Sequence, residues 1–189
     1  MVRCFLIHTV CPVSALGAGE SRLLYSRVFG PDEGIFTEQD RELSPEERRV
    51  LQREKTAVVA RQVHSAVALS RDASGRLLVE SLPGEEALAL QEADSGVEMS
   101  ALWLGVQSLG FTLVCEPHEN LLLAEGTLRN LTRHCLEHLH MLGQGSEVLL
   151  RSNRLDALLS RLLPHGQLLF LNHRFAQSLE KEVAAYMAK

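Results

Sequence analysis

The sequence lacks the features that mark nucleic-acid-binding, disulfide-bonded or membrane-spanning proteins. Its 19 Lys and Arg residues are outnumbered by 24 Asp and Glu residues, and the formal net charge is −5. This balance argues against nucleic acid or an anionic membrane as a direct partner. The four cysteines are scattered and form no C-x-x-C pair, which fits a reducing cytosol better than a disulfide framework. No apolar run is long enough to cross a bilayer.

Common catalytic motifs are missing as well. The sequence has no Gly-rich phosphate loop ending in Lys-Ser or Lys-Thr and no G-x-S-x-G elbow, so it gives no sign of a nucleotide or serine-hydrolase site. The acidic pairs at 46–47 and 85–86 are adjacent in sequence rather than placed across a cleft. We therefore expect no enzymatic activity, no cofactor and no metal.

One short pattern supports an alternative, a zinc-dependent hydrolase. His134, Glu137 and His138 form H-x-x-E-H, in which two histidines four apart on a helix can hold zinc and the Glu can act as a base. Helical spacing places both histidines on the flank of a leucine stripe and Glu137 nearly opposite its centre. No second motif marks the third ligand that a zinc site needs, so we expect histidines at the edge of a core.

Periodicity predicts two strands, a helix, three strands and three further helices. Ser44 can cap a helix, Pro45 suits its first turn and Glu47 completes a capping box. The predicted strands cover 2–8, 21–30, 76–82 and two stretches of 100–115 that meet near Leu109 and Gly110. The predicted helices cover 45 to about 70, about 119–142 closed by Gly143, about 152–163, and about 174–187, with 167–172 extended.

The start of the chain allows two interpretations. A basic residue, an apolar run and small residues resemble a weak signal peptide. The apolar run is interrupted by His8, Thr9 and Pro12, so the pattern favours a buried strand followed by a Gly-rich turn.

The excess negative charge is confined to residues 71–99. This segment holds seven acidic and two basic residues, while the other residues balance at 17 of each sign. Its Gly, Ser and Pro content predicts a solvated insertion around one short strand. The alternative is that this acidic segment attracts a basic partner electrostatically.

Neighbouring strands joined by short turns predict an α/β sandwich. The sheet would be five-stranded and mostly antiparallel, with helices packed on both sides. We expect one domain over residues 1–189, with insertions at about 31–43 and 71–99.

Three stretches resemble the small sigma subunits of clathrin-type adaptor complexes. They are the opening "MVRCFLIHTV…SRLLYSRVF", the central "WLGVQSLGFTLVCEPHENLLLAEGTLRNLTRHCLEHL" and "SEVLLRSNRLDALLSRLLPHGQLL". The resemblance covers nearly the whole chain and implies a longin-like fold. It implies a subunit that stabilises the core of a heterotetramer active in endosomal cargo sorting at late endosomes and lysosomes, with retrieval toward the Golgi.

The resemblance also implies partners. They would be the large zeta and beta subunits and the medium mu subunit of the complex, with spatacsin and spastizin as further partners. The protein would be cytoplasmic and would associate with late endosomal and lysosomal membranes only through the complex.

Some sigma subunits bind acidic dileucine sorting signals, and the resemblance maps such a site onto five residues. Arg22 would pair with the acidic residue of the signal. Phe111, Leu113, Leu131 and Leu149 would line the pocket for the two leucines. Leucines such as Leu113 and Leu131 are also expected in any core between a sheet and a helix, whether or not it binds a signal. Phe111 replaces a smaller aliphatic residue of the family pattern and could fill the pocket.

A second candidate surface lies on the first predicted helix. Arg49 and Arg53 belong to a basic outer face that also holds Arg48 and Arg61, and we expect this face to contact a large subunit. The alternative is a solvated helix face supported by pairs of residues four apart.

Overall fold

The computed structural model describes residues 1–9, 22–29, 43–74, 86–91, 98–106, 108–139, 145–169 and 173–187. The strands are β1 (Val2–Thr9), β2 (Leu23–Val28), β3 (Glu86–Gln91), β4 (Glu98–Val106) and β5 (Leu109–Cys115). The helices are α1 (Pro45–Ser74), α2 (Leu121–Leu139), α3 (Gly145–Leu150), α4 (Ser152–Leu162) and α5 (His173–Met187). A short 3₁₀ turn, Pro164–Gly166, follows α4.

The strands form one five-stranded sheet in the order β2-β1-β5-β4-β3. Every neighbouring pair is antiparallel. Short connections favour this for β3–β4 and β4–β5, whereas β1 and β5 pair across a long stretch of sequence. β1 and β5 occupy the centre, where all seven residues of β5 are buried. Burial on both faces explains their near-continuous apolar sequence.

Helices cover both faces of the sheet, which confirms the predicted α/β architecture. Alternate residues of β1 and β5, such as Phe5 and Leu113, pack with apolar residues of α2, α3, α4 and α5 in one cluster. The intervening residues, such as Leu6 and Val114, pack with Val63 of α1 in a second, smaller cluster. None of the helices in the described ranges has a stretch long and apolar enough to span a bilayer.

The start of α1 is the predicted capping box. The Glu47 carboxylate accepts from the Ser44 main-chain N–H at 2.8 Å, and the Ser44 hydroxyl accepts from the Glu47 N–H at 3.3 Å. These hydrogen bonds lower the pKa of Glu47. They satisfy two main-chain donors that helix geometry leaves without an intrahelical partner.

The turn after α4 fixes the start of β1 to the end of β2. Gly166 has φ 76°, and a Cβ there would lie 2.5 Å from the Val2 carbonyl oxygen and 2.6 Å from the Phe29 Cβ. Any other residue at position 166 would therefore have a strained backbone, and its Cβ would clash with Val2 and Phe29. The predicted helix stop at 164–166 thus also serves as a close packing point.

Several predicted boundaries were wrong. The β4–β5 connection lies between Val106 and Leu109, two residues before the predicted turn at Leu109 and Gly110, because both of those residues belong to β5. The short helix α3 was not predicted. The predicted strand at 76–82, residues 31–42 of the predicted insertion at about 31–43, and Gly143 lie outside the described residues. Within 71–99, residues 71–74 extend α1 and Glu86–Gln91 forms the edge strand β3.

Candidate functional site

Arg22, predicted to pair with an acidic signal residue, lies directly before β2 and is exposed. Its main chain is anchored to the end of β1. The Arg22 N–H donates to the Thr9 hydroxyl at 2.8 Å, and its carbonyl accepts from the Thr9 N–H at 3.0 Å. The backbone is therefore fixed while the guanidinium is presented to solvent.

The four predicted pocket residues are divided between core and surface. Phe111, Leu113 and Leu131 are each 0% exposed and belong to the same cluster. Leu149 is 53% exposed and lies outside that cluster. The structure thus brings three of the four together, as a filled core rather than an open pocket.

The same cluster also contains buried residues of the neighbouring helices. Leu155, Leu158 and Leu159 are fully buried in the same cluster, as is Val148 of α3. Protein cores are close-packed, so a leucine from a signal would need space that these side chains already occupy. The three buried residues of the predicted pocket therefore leave no open space for a signal leucine.

The second candidate surface, Arg49 and Arg53, is exposed on the first turns of α1. No residue from 45 to 55 is buried, and Thr56 is the first buried residue of the helix, at 3% exposed. The first turns of α1 therefore contribute no buried residue to the core. At about 100° per residue, Arg49 and Arg53 share the helix side of Thr56 and Ala60.

Helical spacing places Arg49 and Arg53 on the side of α1 that faces the sheet at Thr56 and Ala60, and both arginines are exposed. Arg61 lies on the outward side of the packed part, and the half-buried Arg48 donates from Nε to the Leu43 carbonyl at 3.0 Å. The four arginines are therefore not one surface. We call the pair Arg49 and Arg53 the α1 overhang.

The residues of the H-x-x-E-H pattern lie at a groove between α2 and α5. His134 is buried at 3% exposed and Glu137 is exposed, as the helical spacing predicts, and the His138 side chain lies outside the described part of the chain. The groove is lined by Arg133, His134, Glu137, Gln177, Glu180, Lys181 and Ala184. Arg133 and Glu180 form an ion pair of 2.5 Å across it. Among the described residues, no three metal-binding side chains come together, so nothing supports the hydrolase alternative.

A buried polar contact that the sequence did not indicate joins β1 to β5. His8 is 0% exposed, with its Nδ1 3.3 Å from the Thr9 carbonyl oxygen and its Nε2 2.9 Å from the Thr112 hydroxyl. Because a carbonyl can only accept, Nδ1 carries the proton and Nε2 accepts from Thr112. Burial and the nearby His64 lower the pKa of His8 to about 4.

A second network, also missed, ties β2 to α4. The Tyr25 hydroxyl donates to the Asp156 carboxylate at 2.6 Å, and the Arg27 guanidinium donates to the Asp156 carbonyl at 2.7 Å and the Ser160 hydroxyl at 3.1 Å. Burial, together with this hydrogen bond, raises the pKa of Tyr25. The partners are more than 100 residues apart, so no local sequence signal could have shown them.

The cysteine side chains of the described residues are unsuited to chemistry. Cys4, Cys115 and Cys135 are buried, and burial raises each thiol pKa to about 12. Thiols with raised pKa values are poor nucleophiles. These three residues pack as small hydrophobic side chains.

Comparison with known proteins gives a consistent result. The family model for AP-5 complex subunit sigma-1 matches residues 1–184. The chain is 45% identical to AP-5 complex subunit sigma-1 of Homo sapiens, with 98% of each chain covered. It is 39% identical to the Mus musculus protein of the same description, over 75% of this chain and 90% of that protein.

A structural comparison supports the fold independently. All of this chain and 96% of a chain in a homology model of the full-length AP-3 complex, in a stretched open conformation, superpose with a TM-score of 0.51. The two chains are 12% identical, so this likeness concerns the fold alone. It confirms the predicted α/β longin-like class.

Proposed function

Because the chain belongs to the family of AP-5 complex subunit sigma-1, we propose that it stabilises the core of a heterotetramer that sorts cargo at late endosomes and lysosomes. The observation that carries this proposal is the family match over residues 1–184. That match makes the chain a sigma-type small subunit of an AP-5 adaptor complex, which is not an enzyme. The sorting role includes retrieval of cargo toward the Golgi.

The proposed partners follow from this place in a complex. The chain binds one large subunit directly, beside the second large subunit and the medium subunit, which are the zeta, beta and mu chains. Spatacsin and spastizin associate with the assembled complex. The protein is cytoplasmic and reaches late endosomal and lysosomal membranes as part of the complex. We further propose that residues 1–189 act as a single longin-like domain.

The proposed contact with the large subunit is the α1 overhang. Arg49 and Arg53 are exposed on helix turns that contribute no buried residue to the core. Their side of α1 is the side that is buried about two turns later, at Thr56 and Ala60. A partner can therefore continue the packing surface of the domain there, and acidic residues on it would complement the two arginines.

Charge reversal tests this contact. We expect Arg49→Glu with Arg53→Glu to weaken binding of the large subunit by about fivefold or more, because a truncated or reversed interface arginine costs more than about 1 kcal/mol. The matched control is Arg61→Glu with Arg154→Glu, which makes the same charge change at exposed positions away from the overhang. Co-purification of tagged subunits at low and high salt measures binding, and thermal melting checks folding.

Two outcomes separate the possible failures. If the wild-type chain does not co-purify with a large subunit, the proposed function is wrong. If wild type and both charge variants bind equally at low and high salt, the function stands and the overhang is not the contact.

We keep the signal-binding site as a second proposal, with Arg22, Phe111, Leu113, Leu131 and Leu149 as its residues. Arg22 and Leu149 are exposed, and the other three are fully buried. Binding must therefore wait for the packing around the three buried residues to open, which slows association below the roughly 10⁵ M⁻¹s⁻¹ that a preformed surface supports. Stopped-flow titration of the assembled complex with a fluorescent acidic dileucine peptide tests this. We expect slow binding that Arg22→Ala weakens, and no binding by wild type would exclude the site.

A further inference from the structure

The outer side of β2 is an edge of the sheet in the described part of the chain. There, β2 is the terminal strand and pairs only with β1. The Phe29 N–H donates to the Arg3 carbonyl at 2.8 Å, and the antiparallel register continues without a shift as far as Ile7 and Tyr25. In such a pair, residues that bond to the partner strand alternate with residues that do not. Phe29, Arg27 and Tyr25 are therefore the residues of β2 that bond to β1.

It follows that Ser26 and Val28 direct their main-chain N–H and C=O groups away from β1. Ser26 is exposed and Val28 half-buried, and these outward groups make no hydrogen bond with any part of the chain that the structure describes. A row of unpaired main-chain groups is a template for another strand. The alternating geometry selects an extended peptide segment rather than a helix or a small molecule as its complement.

The surroundings of this edge specify the segment further. α3 packs against β2, and it exposes 53% of Leu149 and 84% of Leu150. Arg22, which directly precedes β2, is exposed and forms no ion pair with a described residue. Arg27, by contrast, is already held by Asp156 and Ser160. The edge thus combines main-chain groups, an apolar patch and one available cation.

We propose that the outer edge of β2 receives an extended segment of another subunit of the adaptor complex as a sixth strand. The segment pairs with the main chain of Ser26 and Val28, places an apolar side chain against Leu149 and Leu150, and carries an acidic residue that faces Arg22. This inference rests on the proposed function for the existence of that subunit. It names a surface separate from the α1 overhang. The surface shares Arg22 and Leu149 with the signal-binding proposal, so the subunit segment and a signal peptide would exclude each other there.

Hydrogen exchange tests the pairing without any mutation. In the isolated full-length chain, the amide hydrogens of Ser26 and Val28 should exchange quickly, since they point to solvent. In the co-expressed complex they should be protected by tenfold or more, as expected when a main-chain hydrogen bond forms. Equal exchange of the two amides in both states would overturn the proposal. Protection in the isolated chain that increases with its concentration would overturn it in favour of a second copy of this chain.

Proline at position 26 removes one outward donor selectively. We expect Ser26→Pro to weaken assembly about tenfold, because the added strand loses a main-chain donor and meets the ring. Ser26→Ala keeps the N–H and should assemble like wild type. Edge strands accept proline where the N–H faces solvent, so melting of Ser26→Pro should remain near that of wild type.

A second variant addresses the apolar patch and guards against misfolding at position 26. Leu150→Ser, at a side chain that is 84% exposed, should leave melting unchanged and weaken assembly about threefold to tenfold, as loss of a buried leucine contact predicts. If the wild-type chain assembles and both Ser26→Pro and Leu150→Ser assemble equally well, this inference is wrong and the proposed function stands. Failure of the wild-type chain to assemble would instead defeat the proposed function.

Discussion

At the scale of single residues, His8 is the most constrained polar group in the described core. It is fully buried, and its ring is held in one tautomer by Thr9 and Thr112. The titratable group that faces it from the helix packed above is His64 on α1, which together with burial lowers the pKa of His8 to about 4. The charged form of His8 is therefore incompatible with the packed sheet.

This environment predicts a loss of stability in mild acid. An unfolded histidine titrates near pH 6.5, so between about pH 6.5 and pH 4 the unfolded chain binds a proton that the folded chain does not. The free energy of unfolding should therefore be fully retained above pH 6.5 and should fall as pH is lowered, by up to about 3 kcal/mol at pH 4 from this residue. Urea denaturation between pH 7.5 and 4.5 measures this dependence.

The matching variants identify the source of the pH dependence. His8→Gln should reduce the slope between pH 6.5 and 5, although the variant is less stable at neutral pH. His118→Gln, at an exposed turn residue, should keep the wild-type slope. An unchanged slope in His8→Gln would assign the acid sensitivity to other groups.

At the scale of elements, local chemistry predicted the helix start and the strand pairs well. The capping box at Ser44 and Glu47 is formed as the sequence indicates, because its hydrogen bonds join residues three apart. The same holds for β1, whose apolar run ends at Thr9. Elements set by short-range interactions can be predicted from a single sequence.

The elements that escaped prediction depend on distant partners. β3 is formed by pairing with β4, where Glu86 lies opposite Trp103, and its own sequence, EALALQ, has no β-branched or aromatic residue. α3 has only six residues, too few for a periodic signal. Both exist because the sheet and core offer them a surface, which overrides weak local preference.

The candidate sites show the same division. Sequence similarity alone identified Phe111, Leu113 and Leu131 as one group, and the structure joins them in one cluster. The sequence could not show that close packing fills the space beside them. The exposure of the α1 overhang was likewise hidden, because it depends on which part of a 30-residue helix packs on the sheet.

At the scale of the whole molecule, the two faces of the sheet are held unequally. The face covered by α2, α3, α4 and α5 contains a continuous leucine-rich cluster. The face covered by α1 contains a smaller cluster, to which the described side chains of α1 contribute one fully buried apolar residue, Val63. This second face also includes the buried Trp103 indole Nε1, which has no hydrogen-bond partner among the described residues; an unpaired buried donor costs about 1–3 kcal/mol.

This asymmetry predicts that α1 separates from the sheet before the molecule unfolds. Regions with few buried apolar contacts open at lower free energy than the core, so amide hydrogens near Val59 and Val63 should exchange through a sub-global opening. Those of β5 should exchange only through global unfolding. Native-state hydrogen exchange over a series of low denaturant concentrations distinguishes the two.

Two substitutions at fully buried positions make the prediction specific. Val63→Ala should lower the opening free energy of α1 by about 1–2 kcal/mol. The amide hydrogens of α1 should then exchange faster, whether or not the exchange of the β5 amide hydrogens changes. Leu158→Ala on α4 should lower the protection of β5 and of the whole molecule by about 2–5 kcal/mol, since it leaves a cavity in the main cluster. Identical opening free energies for α1 and β5 at every denaturant concentration would mean that both faces unfold as one unit. In that case the α1 overhang would be a rigid arm of the core, and partner binding there could not act by capturing a loosened helix.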